Sequence, residues 1–222
     1  MTPMTVQVMK RVAAVAETRK RSPTKSVQEF AGQPTLFTQD RQPDGNYLAL
    51  SRHSSENRRF IPIGFLPAST IASDAMLVCK GATLYHFGIM NSTMHNAWIR
   101  YTCGRIKSDF RYEPSVYNNF PWPDAPADKT RQAIEAAAQA VLDARAQFPG
   151  ATLADLYDPL TMPPALLKAH QKLDAAVDKA YGKTGFKSDA ERVAFLFQRY
   201  QALTSLLPAA AVKRSRKKPT AT

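Results

Sequence analysis

Apolar residues recur every three or four positions through the second half of the chain, the spacing of amphipathic helices. Between Pro126 and Phe148 the stripe is Ile134, Ala138, Val141, Leu142 and Phe148, and Pro149-Gly150 stops it. Thr152 and Asp155 have capping-box spacing and open one short turn. Pro163-Pro164 starts a helix where a missing N–H costs nothing. Its face runs through Leu166, Leu167, His170, Leu173, Val177 and Tyr181, and Gly182 marks its end. Ser188 and Glu191 box a last helix that turns Val193, Leu196, Phe197, Tyr200 and Leu203 inward. Three main helices with short connections are predicted over residues 124–207.

The first half has a different rhythm. Residues 4–21 carry a short basic helical pattern, ended by the run before Pro23. Turn signals at Gly32-Gln33-Pro34 and Gln42-Pro43-Asp44-Gly45 precede a strand at Tyr47–Leu50. Further strands are expected at Phe60–Leu66, with Pro62 restricting it to an edge or bend, and from Ile71 to Val78. Thr83–Met90, β-branched and aromatic, also reads as a strand. Asn91-Ser92 caps a helix from about Thr93 to Cys103, which Gly104 stops. The fold class is α+β: a mixed α/β domain followed by a small C-terminal helical domain.

Charge sharpens the division. Residues 1–123 hold 15 Lys/Arg against 8 Asp/Glu, residues 124–207 hold 10 of each, and residues 208–222 hold 5 against none. A basic half beside a neutral one is an electrostatic footprint for phosphates. No run of 18 apolar residues exists, so no membrane span is expected. Cys79 and Cys103 lack motif spacing and read as cytosolic thiols, and the chain as cytoplasmic.

Catalytic chemistry is not visible. His53, His86, His95 and His170 are scattered, no Gly-x-Ser-x-Gly elbow occurs, and neither a Walker nor a Gly-x-Gly phosphate loop is present. His170, on an apolar helical face, reads as a core histidine. Two segments remain. Residues 51–59, SRHSSENRR, offer Arg52, Ser54, Ser55, Asn57, Arg58 and Arg59, donors of the kind that contact phosphates. Residues 104–123 set Arg105, Lys107 and Arg111 among aromatics and end in Phe120-Pro121-Trp122-Pro123, where the basic half hands over to the helices. If residues 104–110 are extended, Arg105, Lys107 and Asp109 share one face. A lysine and an aspartate so placed match the two partners of a G·C pair: donation to guanine O6/N7, acceptance from cytosine N4. A plain surface ion pair has the same spacing.

Several blocks resemble one family: PTLF at Pro34–Phe37, YLAL with SRHSSENRRFIPIGFL, GATLYHFGIMNSTMHNAWIR, CGRIKSDFRY, YNNFPWP, the long segment from Gln139 to Asp174, and SDAERVAFLFQRY. In order, over about residues 34–207, they are similar to the C-terminal portion of the MmeI-like DNA methyltransferases, fused restriction–modification enzymes. The resemblance implies a target recognition domain up to about Pro123 and a C-terminal helical domain over 124–207. A basic, partly helical or flexible segment (1–33) precedes them and a disordered basic tail (208–222) follows.

It also implies that Lys107 and Asp109 are base-reading positions. Arg52, Ser54, Ser55, Arg58, Arg59, Arg105 and Arg111 are then expected to contact the DNA backbone or support the readers. Full-length members are S-adenosylmethionine-dependent adenine-N6 methyltransferases. The Phe-x-Gly-x-Gly cofactor loop and the Asn-Pro-Pro-aromatic motif are missing from this sequence: Met162-Pro163-Pro164-Ala165 lacks the asparagine and the aromatic. No cofactor is therefore expected in this chain. The expected partners are double-stranded DNA and a separate methyltransferase catalytic chain. The alternative is a non-enzymatic fragment whose helical half docks on another protein.

Overall fold

A computed structural model describes residues 3–39 and 41–205. The expected tail, 208–222, lies outside the described residues. The chain divides into two compact units, one ending at Gln42 and the other starting at Pro43. In the first, α1 (Pro3–Lys20) and α2 (Lys25–Glu29) are followed by a 3₁₀ turn at Phe30–Gly32. Arg19 ties this unit together by donating to the carbonyls of Phe30, Gln33 and Leu36, at 3.1, 2.8 and 2.7 Å.

The second unit holds two small antiparallel sheets and a layer of helices. β1 (Tyr47–Ser51) is flanked by β3 (Ile63–Leu66) and β4 (Met76–Lys80), in the order β3-β1-β4. β1 is buried along almost its whole length, as the central strand of such a sheet must be. The other sheet is β2-β6-β5, from β2 (His53–Ser54), β5 (Gly104–Ile106) and β6 (Asp109–Arg111). Between the sheets in sequence lie α3 (Leu84–Asn91) and α4 (Thr93–Thr102); α5 (Pro114–Asn118), α6 (Asp128–Ala146), α7 (Leu153–Leu156), α8 (Pro164–Ala180) and α9 (Asp189–Ser205) complete the chain. None of the described helices is long and apolar enough to cross a membrane.

Residues 83–90 correct the sequence reading: they form α3, not a strand. The helix is buried on nearly every side, so it shows no amphipathic period to betray it. Thr83 and His86 box its start, the backbone N–H of Thr83 donating to His86 Nδ1 at 3.2 Å. Gly88 lets α3 lie close to two neighbours. A Cβ placed there would stand 2.8 Å from Ile134 Cγ2 in α6 and 3.3 Å from Leu173 Cδ1 in α8. Three residues expected to face inward are exposed: Phe148, Phe197 and Leu203. The inward face of α6 instead carries Ala144 and Arg145.

One apolar core therefore runs from β1 and β3 through α3 and α4 to α6, α8 and α9. Arg145 crosses it. The guanidinium donates to Ile63 O at 2.7 Å, Asn91 Oδ1 at 3.1 Å and the Tyr157 hydroxyl at 2.9 Å. Rings of Phe87 and Tyr157 flank it at 5.1 and 4.9 Å. His170 completes this network, its Nε2 2.7 Å from the Tyr157 hydroxyl and its ring stacked on Phe60. Burial and the neighbouring guanidinium lower its pKa to about 3, so the imidazole is neutral.

Candidate nucleic-acid interface

The two segments singled out by sequence form one sheet. His53 pairs with Arg111 and Ser54 with Phe110; on the other side of β6, Gly104 pairs with Arg111, Arg105 with Phe110 and Ile106 with Asp109. In this register Asp109, Arg111, Ile106 and His53 share the outer face, because directly opposed residues point the same way. Phe110, between Asp109 and Arg111, turns inward and is 4% exposed.

The extended reading of residues 104–110 is corrected here. The chain reverses at Lys107-Ser108, giving a two-residue hairpin, and Lys107 takes the left-handed region with φ of 55°. Arg105 and Asp109 consequently lie on opposite faces, and Lys107 stands at the tip. A non-glycine residue in that region carries strain, which persists where surrounding contacts dictate the turn. Lys107 is exposed and has no hydrogen-bond or ion-pair partner among the described residues.

Its neighbours are engaged. Asp109 Oδ1 accepts from the Glu56 backbone N–H at 3.4 Å. Arg105 stacks its guanidinium 4.6 Å from the Phe110 centroid and donates to Ser108 O and Glu56 Oε2 at 2.8 and 3.2 Å. Arg111 pairs with Glu113 at 3.1 Å, and Arg52 Nε donates to Asp74 O at 2.9 Å. Arg59 lies over the Phe60 ring, and Ser55 Oγ accepts from Asn57 N–H. The Arg58 side chain is part-buried, with its ε-nitrogen inside. Ser54 is a correction: at 3% exposure its hydroxyl is turned away from any phosphate at the surface. Sequence reading passed over Glu56 and His53, although both sit in the SRHSSENRR segment. Only the cross-strand register shows that His53 lies opposite Arg111, and only the bonds to Asp109 and Arg105 show that Glu56 reaches the hairpin.

Polar side chains of α4 each hold a neighbouring segment in place. Asn96 Oδ1 accepts from Ile61 N–H at 2.8 Å, Trp98 Nε1 donates to Val116 O, and Arg100 donates to Arg59 O while pairing with Asp189 at 2.6 Å. His95 has only a carbonyl near Nδ1, Met90 O at 2.9 Å, so Nδ1 carries the proton and Nε2 accepts from the Tyr112 hydroxyl at 3.1 Å. Complete burial lowers its pKa to about 4 and keeps that tautomer neutral. Tyr112 follows β6 directly, so this bond fixes the base of the hairpin. Asp174 of α8 anchors the start of α4, accepting from Thr93 N–H and Oγ1, both at 2.6 Å.

Residues 3–124 match the model of the family described as "MmeI, target recognition domain", and residues 126–208 match "MmeI, C-terminal domain". The chain belongs to the MmeI family. It is 37% identical over 198 residues to DNA methyltransferase A of Bacillus subtilis (strain 168), covering 89% of this chain and 22% of that protein. A solved structure of the Type IIL restriction-modification enzyme MmeI in complex with DNA superposes with a TM-score of 0.83 at 48% identity, covering 90% of this chain and 27% of that one. The chain thus spans about a quarter of the length of these two relatives. The mixed α+β architecture is that of the matching part of MmeI.

Proposed function

We propose that this chain is a sequence-reading module for duplex DNA, the recognition part of an adenine-N6 methyltransferase. The observation that carries the reading is the hairpin tip. Lys107 is held in a strained turn with its ammonium unpartnered among the described residues, and Asp109, two positions on, keeps one carboxylate oxygen uncommitted among them. Lysine donates to guanine O6/N7 in the major groove and aspartate accepts from cytosine N4. Arg111, on the same face as Asp109, and Arg52 and Arg59 supply cations for phosphates, which position but do not specify.

In this reading S-adenosylmethionine chemistry belongs to the catalytic part of such an enzyme and not to residues 3–205. Positive-φ glycines at positions 81, 150, 182 and 185 sit singly in turns with open space where a Cβ would go.

The test is to select duplexes from a randomised pool with the chain alone, then titrate the selected and a scrambled duplex at several salt concentrations. Tighter binding to the selected duplex is expected. With roughly three to five phosphates neutralised, log K should fall with log salt at a slope of about −3 to −5. Equal affinity for both duplexes overturns sequence reading by this chain. No binding at moderate salt, with capture of a protein instead, favours a docking fragment.

A further inference from the structure

We propose that Glu56 and Arg105 are positioning residues that set the reading geometry of the hairpin without contacting DNA themselves; this rests on the recognition reading above. Arg105 is the one arginine of the sheet committed in three directions at once. Its guanidinium covers the inward Phe110 ring at 4.6 Å, ties to Glu56 Oε2 at 3.2 Å, and donates to Ser108 O at 2.8 Å. Ser108 is the second residue of the two-residue turn, so this last bond reaches from β5 to the tip and clamps the backbone directly after Lys107. Glu56 closes the circuit. Its carboxylate takes Arg105, and its backbone N–H reaches Asp109 Oδ1 at 3.4 Å. One clamp therefore governs the turn that presents Lys107 and the oxygen of Asp109 left to accept from a base.

Two features argue against Arg105 as a phosphate contact and Glu56 as an incidental surface acid. The face carrying Arg105 is opposite to the one carrying Asp109 and Arg111. A carboxylate on a surface meant for phosphates opposes binding by repulsion, so its presence calls for a compensating role. The Glu56–Arg105 pair is about half exposed, 44% and 45%, and such pairs contribute little to stability. The consequence of breaking it is expected in geometry, not in folding.

The experiment compares wild type with Glu56→Gln, Arg105→Lys and Arg105→Ala. Each is titrated against the duplex selected by wild type, against the same duplex changed at the base pair read by Lys107 and Asp109, and against a scrambled duplex. For Glu56→Gln, scrambled-duplex affinity should rise two- to fivefold while discrimination at that pair falls at least fivefold. Arg105→Lys keeps the charge but loses the planar fork, so discrimination should fall with the salt slope unchanged. Thermal midpoints of all three should stay within a degree or two of wild type.

Two results overturn the proposal. One is that Glu56→Gln raises specific and scrambled affinity by the same factor, as for a plain surface acid. The other is that Arg105→Ala lowers both equally and reduces the salt slope by about one while Arg105→Lys retains full discrimination, as for a direct phosphate contact. If wild type itself shows no discrimination, the recognition reading fails and takes this proposal with it.

Discussion

Replacing Lys107 with glycine separates what the backbone needs at the hairpin tip from what the side chain does there. At φ of 55° Lys107 occupies left-handed space, which costs an L-residue about 1–2 kcal/mol. Glycine removes that cost but brings about 0.5–1 kcal/mol of extra freedom in the unfolded chain. The ammonium has no partner to lose among the described residues. Lys107→Gly should therefore be more stable than wild type by about 0.5–1 kcal/mol, a rise of roughly 1–4 °C in Tm for a chain this size.

Lys107→Ala is the control. It removes the same ammonium but keeps the penalised φ, so its stability should match wild type within about 0.5 kcal/mol. In duplex titrations both variants should lose base discrimination by about 1–3 kcal/mol at a single pair. A tip that gains stability as it loses reading is a strained functional residue. A glycine variant less stable than the alanine variant refutes the strain argument. Full discrimination in both variants refutes the assignment of Lys107 as a reader.

Gly88→Ala should destabilise the fold. Helix propensity favours alanine by about 1 kcal/mol, but the new methyl meets Ile134 Cγ2 at 2.8 Å and Ala138 Cβ at 3.2 Å. Overpacking of that kind costs about 1–3 kcal/mol. Urea unfolding should show a net loss of roughly 1 kcal/mol; a stability gain would mean that α3 and α6 separate freely. Acid should weaken the protein through its buried histidines. Folded His95 titrates near 4, against about 6.5 unfolded, so below pH 6.5 the unfolded chain takes up a proton that the folded one refuses. This contribution is present in full above pH 6.5, and about 3 kcal/mol of it is lost by pH 4. His170 acts in the same sense, with folded pKa about 3. Asp174 and Asp178, whose pKa values burial raises, act in the opposite sense. Urea midpoints from pH 7 to 4.5 should fall more steeply for wild type than for His95→Gln, and equal slopes would contradict the assignment.

What the sequence disclosed follows from which faces meet water. Helices α6, α8 and α9 each have a wet side, and their stripes were legible down to Val141, Leu173 and Val193. α3 has almost none, and a run of apolar and aromatic residues buried all round carries no period to separate helix from strand. The SRHSSENRR and GRIKSDF segments stand out by composition, but their union in one sheet rests on pairings across almost sixty residues that no local pattern encodes. The turn at Lys107-Ser108 was hidden for a related reason. Neither residue is the glycine or asparagine that announces a tight hairpin, and tertiary contacts impose the conformation.

Arg145 bears on how recognition specificities are exchanged between relatives. The junction of the two family regions, between residues 124 and 126, invites a splice that would graft one protein's reader onto another's helices. Such a hybrid would ask a guanidinium from one parent to find the Ile63 carbonyl and the Asn91 amide oxygen of the other, deep in a common interior. Any shift in those acceptors strands a buried cation, at a cost of several kcal/mol. The natural cargo for transplantation is the whole body from Pro43 through α9. On the proposed reading, finer retuning would rewrite the hairpin tip alone, in place, with the core left intact.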